Sequence, residues 1–247
     1  MIRHIDLPSP PSELDTHLTT SETDVLKAIF SFPNGSACGI DGLRPQILKD
    51  LLCKESSDFG NSLLSAITKL SNIMLEGKIN ENILPFIYGA SLCALNKKDG
   101  GLRPISIGNT FRRLTAKLAC SSIREPIGEY LRPKQLGFAT RGGCEAAIHA
   151  SRSYLYRNKG HRIVFFKIDF RNAFNTIERD IMLQEIKEKT PGIFPFLWQC
   201  YSANTHLFFG NDIISSQVGA QQGDPCGPLS FCLVIQNSIF GIWMMAH

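Results

Sequence analysis

The sequence predicts an α+β fold, and three features carry that prediction. An apolar run, Ile163 to Phe166 continued by Ile168 and Phe170, reads as a strand buried on both faces. Two further stretches, Ile87–Ile107 and Thr205–Val218, read as β-hairpins folded around turn-forming residues. Around these lie segments whose apolar residues recur at helical spacing. Asp169 falls where the buried strand runs out. A carboxylate is costly to bury without compensation, so Asp169 either pairs with Lys167 or Arg171 or holds a cation.

The chain has 247 residues, 43% of them hydrophobic, enough for one large domain or two subdomains with a real core. No apolar run approaches the length of a membrane span. The first residues, MIRHIDLPSPPSELD, lack the apolar stretch of a secretory signal, so an intracellular, non-secreted protein is expected. The eight cysteines include no C-x-x-C and no histidine at ligand spacing; they read as reduced core thiols rather than a zinc site. Net charge is +4 but unevenly placed. Residues 1–96 carry 7 basic and 11 acidic side chains, residues 97–141 carry 10 and 3, and residues 142–247 carry 9 and 8. A basic block on a nearly neutral chain suggests a groove for a polyanion; a solvated charged face is the alternative.

Taken in order, residues 1–18, with Pro8, Pro10 and Pro11, read as a linker from an upstream region. A helix is predicted near Thr20, with Thr19-x-x-Glu22 as a capping box and Pro33-Asn34-Gly35 as its end. Pro45 opens a second helix, and Asp58–Glu76 forms a third, stopped by Gly77. The first hairpin turns at Asn96–Gly101. Thr110–Leu131 is predicted to be one helix, Gln135–Phe138 a break, and Gly142–Gly143 the entry to a helix ending near Asn158. After the central strand, helices are expected at Arg179–Lys189 and Pro195–Tyr201. GAQQGDPCGPLSF is a glycine- and proline-dense turn that opens a last apolar helix at Pro228.

Four stretches fall in one order: KKDGGLRPIS, QLGF-x-x-RGG, DFRNAFN on the strand, and GAQQGDPCGPLS. That order resembles the reverse transcriptases of non-LTR (LINE-type) retrotransposons. Group II intron and retron enzymes share the palm, but RPIS followed by RRLTAK is closer to the retrotransposon pattern. The resemblance implies a right-hand polymerase architecture with fingers and palm, the palm sheet incomplete and the thumb absent. Residues 19–160 would form the fingers and the start of the palm, and 161–247 a partial palm. The implied partners are an RNA template, a DNA primer and a dNTP, with no membrane; an element-encoded endonuclease is not seen in this chain.

The same resemblance assigns roles to residues. Asp169 would ligate Mg²⁺ in a two-ion phosphoryl-transfer centre, with the backbone carbonyl of Phe170 beside it. Phe174 would close the sugar pocket, with core packing as the alternative. Lys97 or Lys98 and Arg103 would grip the triphosphate. Gln222 and Gly223 would lie against the nascent base pair, and Arg112, Arg113, Lys117 and Arg141 would contact template phosphates.

A second carboxylate pair, aromatic-x-Asp-Asp, is missing: no acidic residue follows Asp224, so the two-ion site is incomplete. This predicts a polymerase fragment without activity, the alternatives being a non-catalytic RNA- or DNA-binding remnant and an unstable pseudogene product. Phe240–His247 is the sequence that results when codons for Phe-Trp-Tyr-Met-Asp-Asp-Gly-Thr lose a single T. A frameshift therefore predicts that the adjacent reading frame encodes Tyr-Met-Asp-Asp and thumb-like sequence; a real truncation and an overlooked intron predict that it does not. Sequencing the genomic DNA through the stop codon separates them.

Overall fold

Ser21 caps the first helix, α1 (Glu22–Phe30): its Oγ accepts from the Asp24 amide and donates to the Asp24 carboxylate. The predicted cap at Thr19 is displaced because Asn72 holds Thr20 from both sides. Its Oδ1 accepts from the Thr20 amide at 2.8 Å and its Nδ2 donates to the Thr20 carbonyl at 3.2 Å. Thr20 thus belongs to a tertiary clamp, and the helix starts beyond it. The structure is a computed structural model that describes residues 7–13, 15–53, 58–98, 100–165 and 167–245, with side chains as far as Gln236.

Pro45 opens α2 (Pro45–Leu52), as its lost N–H and fixed φ dictate. The long amphipathic helix α3 (Asp58–Leu75) ends in a Schellman turn, Lys78 N–H to Ile73 O and Gly77 N–H to Met74 O. Gly77 takes φ +69° there, and a Cβ would stand 2.8 Å from the Pro195 carbonyl oxygen. The short α4 (Leu84–Ile87) leads into strand β1 (Ala90–Asn96), which pairs antiparallel with β2 (Leu102–Gly108).

The single helix predicted over Thr110–Leu131 is two, α5 (Thr110–Ser122) and α6 (Arg124–Leu131). Pro126 explains the break, since it has no N–H to offer the Ser122 carbonyl. Helical bonding resumes at Ile127 N–H to Ile123 O. Gly142, at φ +65°, leads into α7 (Gly143–Arg157). Then come α8 (Arg179–Lys189), α9 (Phe194–Tyr201), the hairpin β3 (Thr205–Phe209) and β4 (Asp212–Ser216), and α10 (Gly227–Met245). No helix of the described residues is long and apolar enough to cross a membrane.

The two hairpins join into one mixed sheet of order β2-β1-β3-β4. Their seam is parallel and short, Ala90 opposite Leu207 and Ser91 opposite Phe208. β4 stops at Ser216, before the predicted Val218, because the Arg179 guanidinium takes the Ser216 carbonyl at 3.0 Å and its Oγ at 2.8 Å.

The central strand is the main correction. Ile163–Phe165 and Lys167–Phe170 form no strand, and Val164, Phe165, Ile168 and Phe170 are exposed. Apolar content makes a segment fit for a sheet but cannot supply a neighbour. Among the described residues, both positions beside β1 are taken, by β2 and β3. Residue 166 lies outside the described residues.

Two apolar cores result. The smaller holds Val25, Ile29, Phe32, Leu48, Ile67, Leu114 and Leu118. The larger runs from Met74 and Leu75 through Ala116 and Leu131 to Phe196, Leu229 and Leu233, drawing on both sides of residue 160. α3 and α5 contribute to both cores, which makes them the struts between the two. Gly77→Ala is expected to cost more stability than Gly35→Ala. Both force a left-handed φ on alanine, about 1 kcal/mol each, but only the first drives a Cβ into backbone. Urea denaturation of the two variants, with equal losses, would count against this account.

Candidate functional site

The turn from Gly219 to Gly227 is the meeting point of the molecule's motifs. Gly219 and Ala220 donate their amides to Ile177 O at 3.0 Å and Phe174 O at 2.9 Å, which fixes the turn to the stretch after Asp169. Gln222 O accepts from the Ser106 amide at 2.7 Å, which fixes it to β2. Gly223, at φ +120°, allows that approach: a Cβ would sit 2.5 Å from the Ser106 carbonyl oxygen.

Beneath the turn lies a buried polar network. Asp224 Oδ2 accepts from Arg112 Nη2 at 2.7 Å and from the Tyr201 hydroxyl at 2.8 Å, and its Oδ1 accepts from the Cys226 amide at 2.9 Å. Arg112 Nη1 donates to the Tyr88 carbonyl, which also accepts from Gln221 Nε2 at 3.1 Å. Burial alone would lower the Arg112 pKa, but the adjacent Asp224 charge carries it above its ordinary value. Burial, then the same carboxylate, pushes the Tyr201 hydroxyl well up, so it serves as a neutral donor.

The network corrects one predicted role. Arg112, expected on template phosphates, is 1% exposed and committed to Asp224, so it cannot reach solvent polyanions. A charge this deep must be paired, and α5 held a sign of it. Arg112 shares a helical stripe with Thr115, Ala116 and Ala119, all buried. Its neighbours Arg113 and Lys117 are half-buried beside the smaller core. Arg113 donates to the Ala37 carbonyl, and Lys117 donates to Ser31 Oγ at 3.0 Å from above the Phe32 ring.

The remaining predicted residues separate by place. Phe170 and Phe174 both pack on the Phe231 ring, with centroids 5.7 and 5.6 Å away, and Phe174 also lies on Gly227. Asp169 is exposed beside them, and Gln222 is half-buried in the turn. Lys97 and Lys98 are exposed at the hairpin tip, where Lys97 N–H to Gly101 O closes the turn at 2.7 Å. Arg103, exposed on β2 opposite Leu95, lies three residues from Ser106, about 10 Å along a strand. Arg141 is exposed just before α7. The structure thus joins the 170–174 stretch, the 219–227 turn and β2, while the lysines stand off at the tip.

Two residues that sequence reasoning missed hold the site's frame. Arg179 is fully buried, and its pKa is pushed down to about 10 by that burial. Its guanidinium caps the carbonyls of Gly219 at 3.1 Å and Tyr201 at 3.3 Å as well as Ser216. The sequence marks Tyr201 only as the end of a short helix. An arginine at the first position of an otherwise amphipathic helix looks like any solvated charge, so no local signal marks it.

A family model described as "Reverse transcriptase (RNA-dependent DNA polymerase)" matches residues 95–243, more than half of the chain. The "Putative COX1/OXI3 intron 1 protein" of Saccharomyces cerevisiae is 24% identical over 121 residues, 49% of this chain. The match spans 13% of that protein's length.

Asp224→Ala is expected to destabilise the fold by about 3–5 kcal/mol, because it strands a buried guanidinium. Arg112→Met combined with Asp224→Leu should recover most of that loss. Denaturant midpoints of the single and double variants check this; additive losses would mean that the pair is not coupled.

Proposed function

Because the chain belongs to the reverse transcriptase (RNA-dependent DNA polymerase) family, we propose that it is the fingers and partial palm of a non-LTR retrotransposon polymerase. In this reading residues 19–160 are the fingers with the start of the palm and 161–247 part of the palm, while Leu7 and Leu18 pack on the larger core. The bound species are an RNA template, a DNA primer and an incoming dNTP. What carries the reading is the convergence of three motifs at one turn: β2 through Ser106, the 170–174 stretch through Phe174, and Gln222–Gly223 between them.

Within that arrangement the exposed Arg103 and Lys97 or Lys98 offer a guanidinium fork and a mobile ammonium to triphosphate oxygens. Phe174, braced by Phe231 and Gly227, presents a ring to the sugar. Gly223 lets the turn lie close on β2, which sets Gln222 and the exposed turn backbone where a base pair would rest. Arg141 adds a phosphate contact.

Reverse transcriptases in general use divalent metal ions. Asp169 is exposed and suited to hold one, but Asp224 has both oxygens engaged by Arg112, Tyr201 and the Cys226 amide. Among the described residues no three His, Cys, Asp or Glu side chains come together. This donor set does not fit a two-Mg²⁺ centre, in which each ion takes several oxygen ligands. These 247 residues by themselves would bind and orient nucleic acid and nucleotide without joining them.

A second reading draws on the yeast relative, which is named as an intron protein: the chain is part of an intron-encoded reverse transcriptase. Intron RNA folding around the gene would favour that origin. Flanking direct repeats from target-site copying would favour the retrotransposon.

The purified chain, given a primed RNA template, dNTPs and Mg²⁺, is expected to extend nothing. Extension that Asp169→Ala abolishes would overturn the inactive reading. RNA affinity should fall with rising salt, and Arg141→Ala should lower the log–log slope by roughly 0.7, the value for one lost phosphate contact on a single strand. An unchanged slope would remove Arg141 from the nucleic-acid surface.

A further inference from the structure

We propose that Cys120 and Cys226 form an oxidation-sensitive thiol pair that closes into a disulfide and ties α5 to the turn beneath the candidate site. The two sulfurs lie 3.5 Å apart, although their residues stand 106 apart in the chain. Each thiol is seated on the other's segment. Cys120 Sγ lies 3.5 Å from the Pro225 carbonyl oxygen, and Cys226 Sγ lies 3.6 Å from the Ala116 carbonyl oxygen of α5. Bonding requires the sulfurs to close to about 2.05 Å, a shift of side-chain size between two segments already in contact.

The two thiols differ in access, and that sets the order of events. Cys120 is half-buried and lines a cavity of about 750 Å³ between α1, α5 and the 137–139 turn, where Pro225 also reaches the wall. Cys226 is buried. Its hydrogen bond to Cys120, and then its burial, push its pKa well above the usual thiol value, so it is not the first to react.

A peroxide supplies the oxidant. The Cys120 sulfur attacks one peroxide oxygen, the O–O bond breaks, and the departing hydroxide leaves as water with the thiol proton. Cys120 is then a sulfenic acid. The Cys226 sulfur attacks that sulfur, the S–O bond breaks as the S–S bond forms, and the second hydroxide leaves as water with the Cys226 proton. Two thiols and one hydrogen peroxide become one disulfide and two waters, with two electrons passing from sulfur to oxygen.

The covalent link would duplicate a non-covalent one. Arg112 of α5 already holds Asp224, and Cys226 donates its amide to the same carboxylate. Oxidation would therefore fix the turn on α5 at a second point and stiffen the surface formed by Gln222 and Gly223. The inference does not depend on polymerase ancestry.

The test treats the full chain with hydrogen peroxide and maps its peptides without reductant. Expected are a link between the Leu118–Arg124 peptide and the one carrying Cys226, two hydrogens lighter than its parts and released by dithiothreitol, and a melting midpoint raised by about 5–10 °C. Cys120→Ser, at a half-buried position, should show neither. Cys120 carried on to sulfinic acid with Cys226 still alkylatable, or both thiols recovered free, overturns the proposal.

Discussion

Everything at the candidate site hangs on one buried ion pair, Arg112 with Asp224 at 2.7 Å. Desolvating both charges offsets much of their attraction, so the pair is weak evidence for stability. Its importance is geometric. One guanidinium reaches the Tyr88 carbonyl just before β1 and the carboxylate of the 219–227 turn, and Tyr201 brings α9 to the same oxygen. Four segments distant in the chain share one set of hydrogen bonds, and any slip of one leaves a buried charge unanswered.

Arg179 plays the matching part on the other side of the turn, and among the described residues its hydrogen bonds go to carbonyls and a hydroxyl rather than to a carboxylate. It gathers carbonyls from Tyr201, Ser216 and Gly219, so β4, α9 and the turn end on a common cation. With α3 and α5 spanning both cores, this explains how a glycine-rich segment is held firmly enough to present Gln222 and Gly223 at the surface. The glycines provide close approach, and the two arginines provide position.

Much of this was legible from local chemistry. Pro45, Gly77, Gly142 and the Lys97–Gly101 turn mark boundaries because their backbones allow few alternatives, and the structure places helix or hairpin ends there. The family was legible because four motifs stood in order, each with its own turn geometry. What sequence missed depends on partners. Thr19 lost its cap to a contact with Asn72 some fifty residues away, Arg112 was claimed by a carboxylate 112 residues on, and Ile163–Phe165 and Lys167–Phe170 found no strand partner among the described residues. Propensity describes what a segment can do, and long-range contacts decide which of those options is taken.

The parallel seam between β1 and β3 is only two residue pairs long, whereas each hairpin has five or seven pairs of its own. Strain applied to the sheet will concentrate at that seam, while both ladders stay whole. The hairpin bearing Lys97, Lys98 and Arg103 is also tied to the 219–227 turn by the Ser106 amide on Gln222 O, so two short links rather than a long ladder join it to the other hairpin and to the turn.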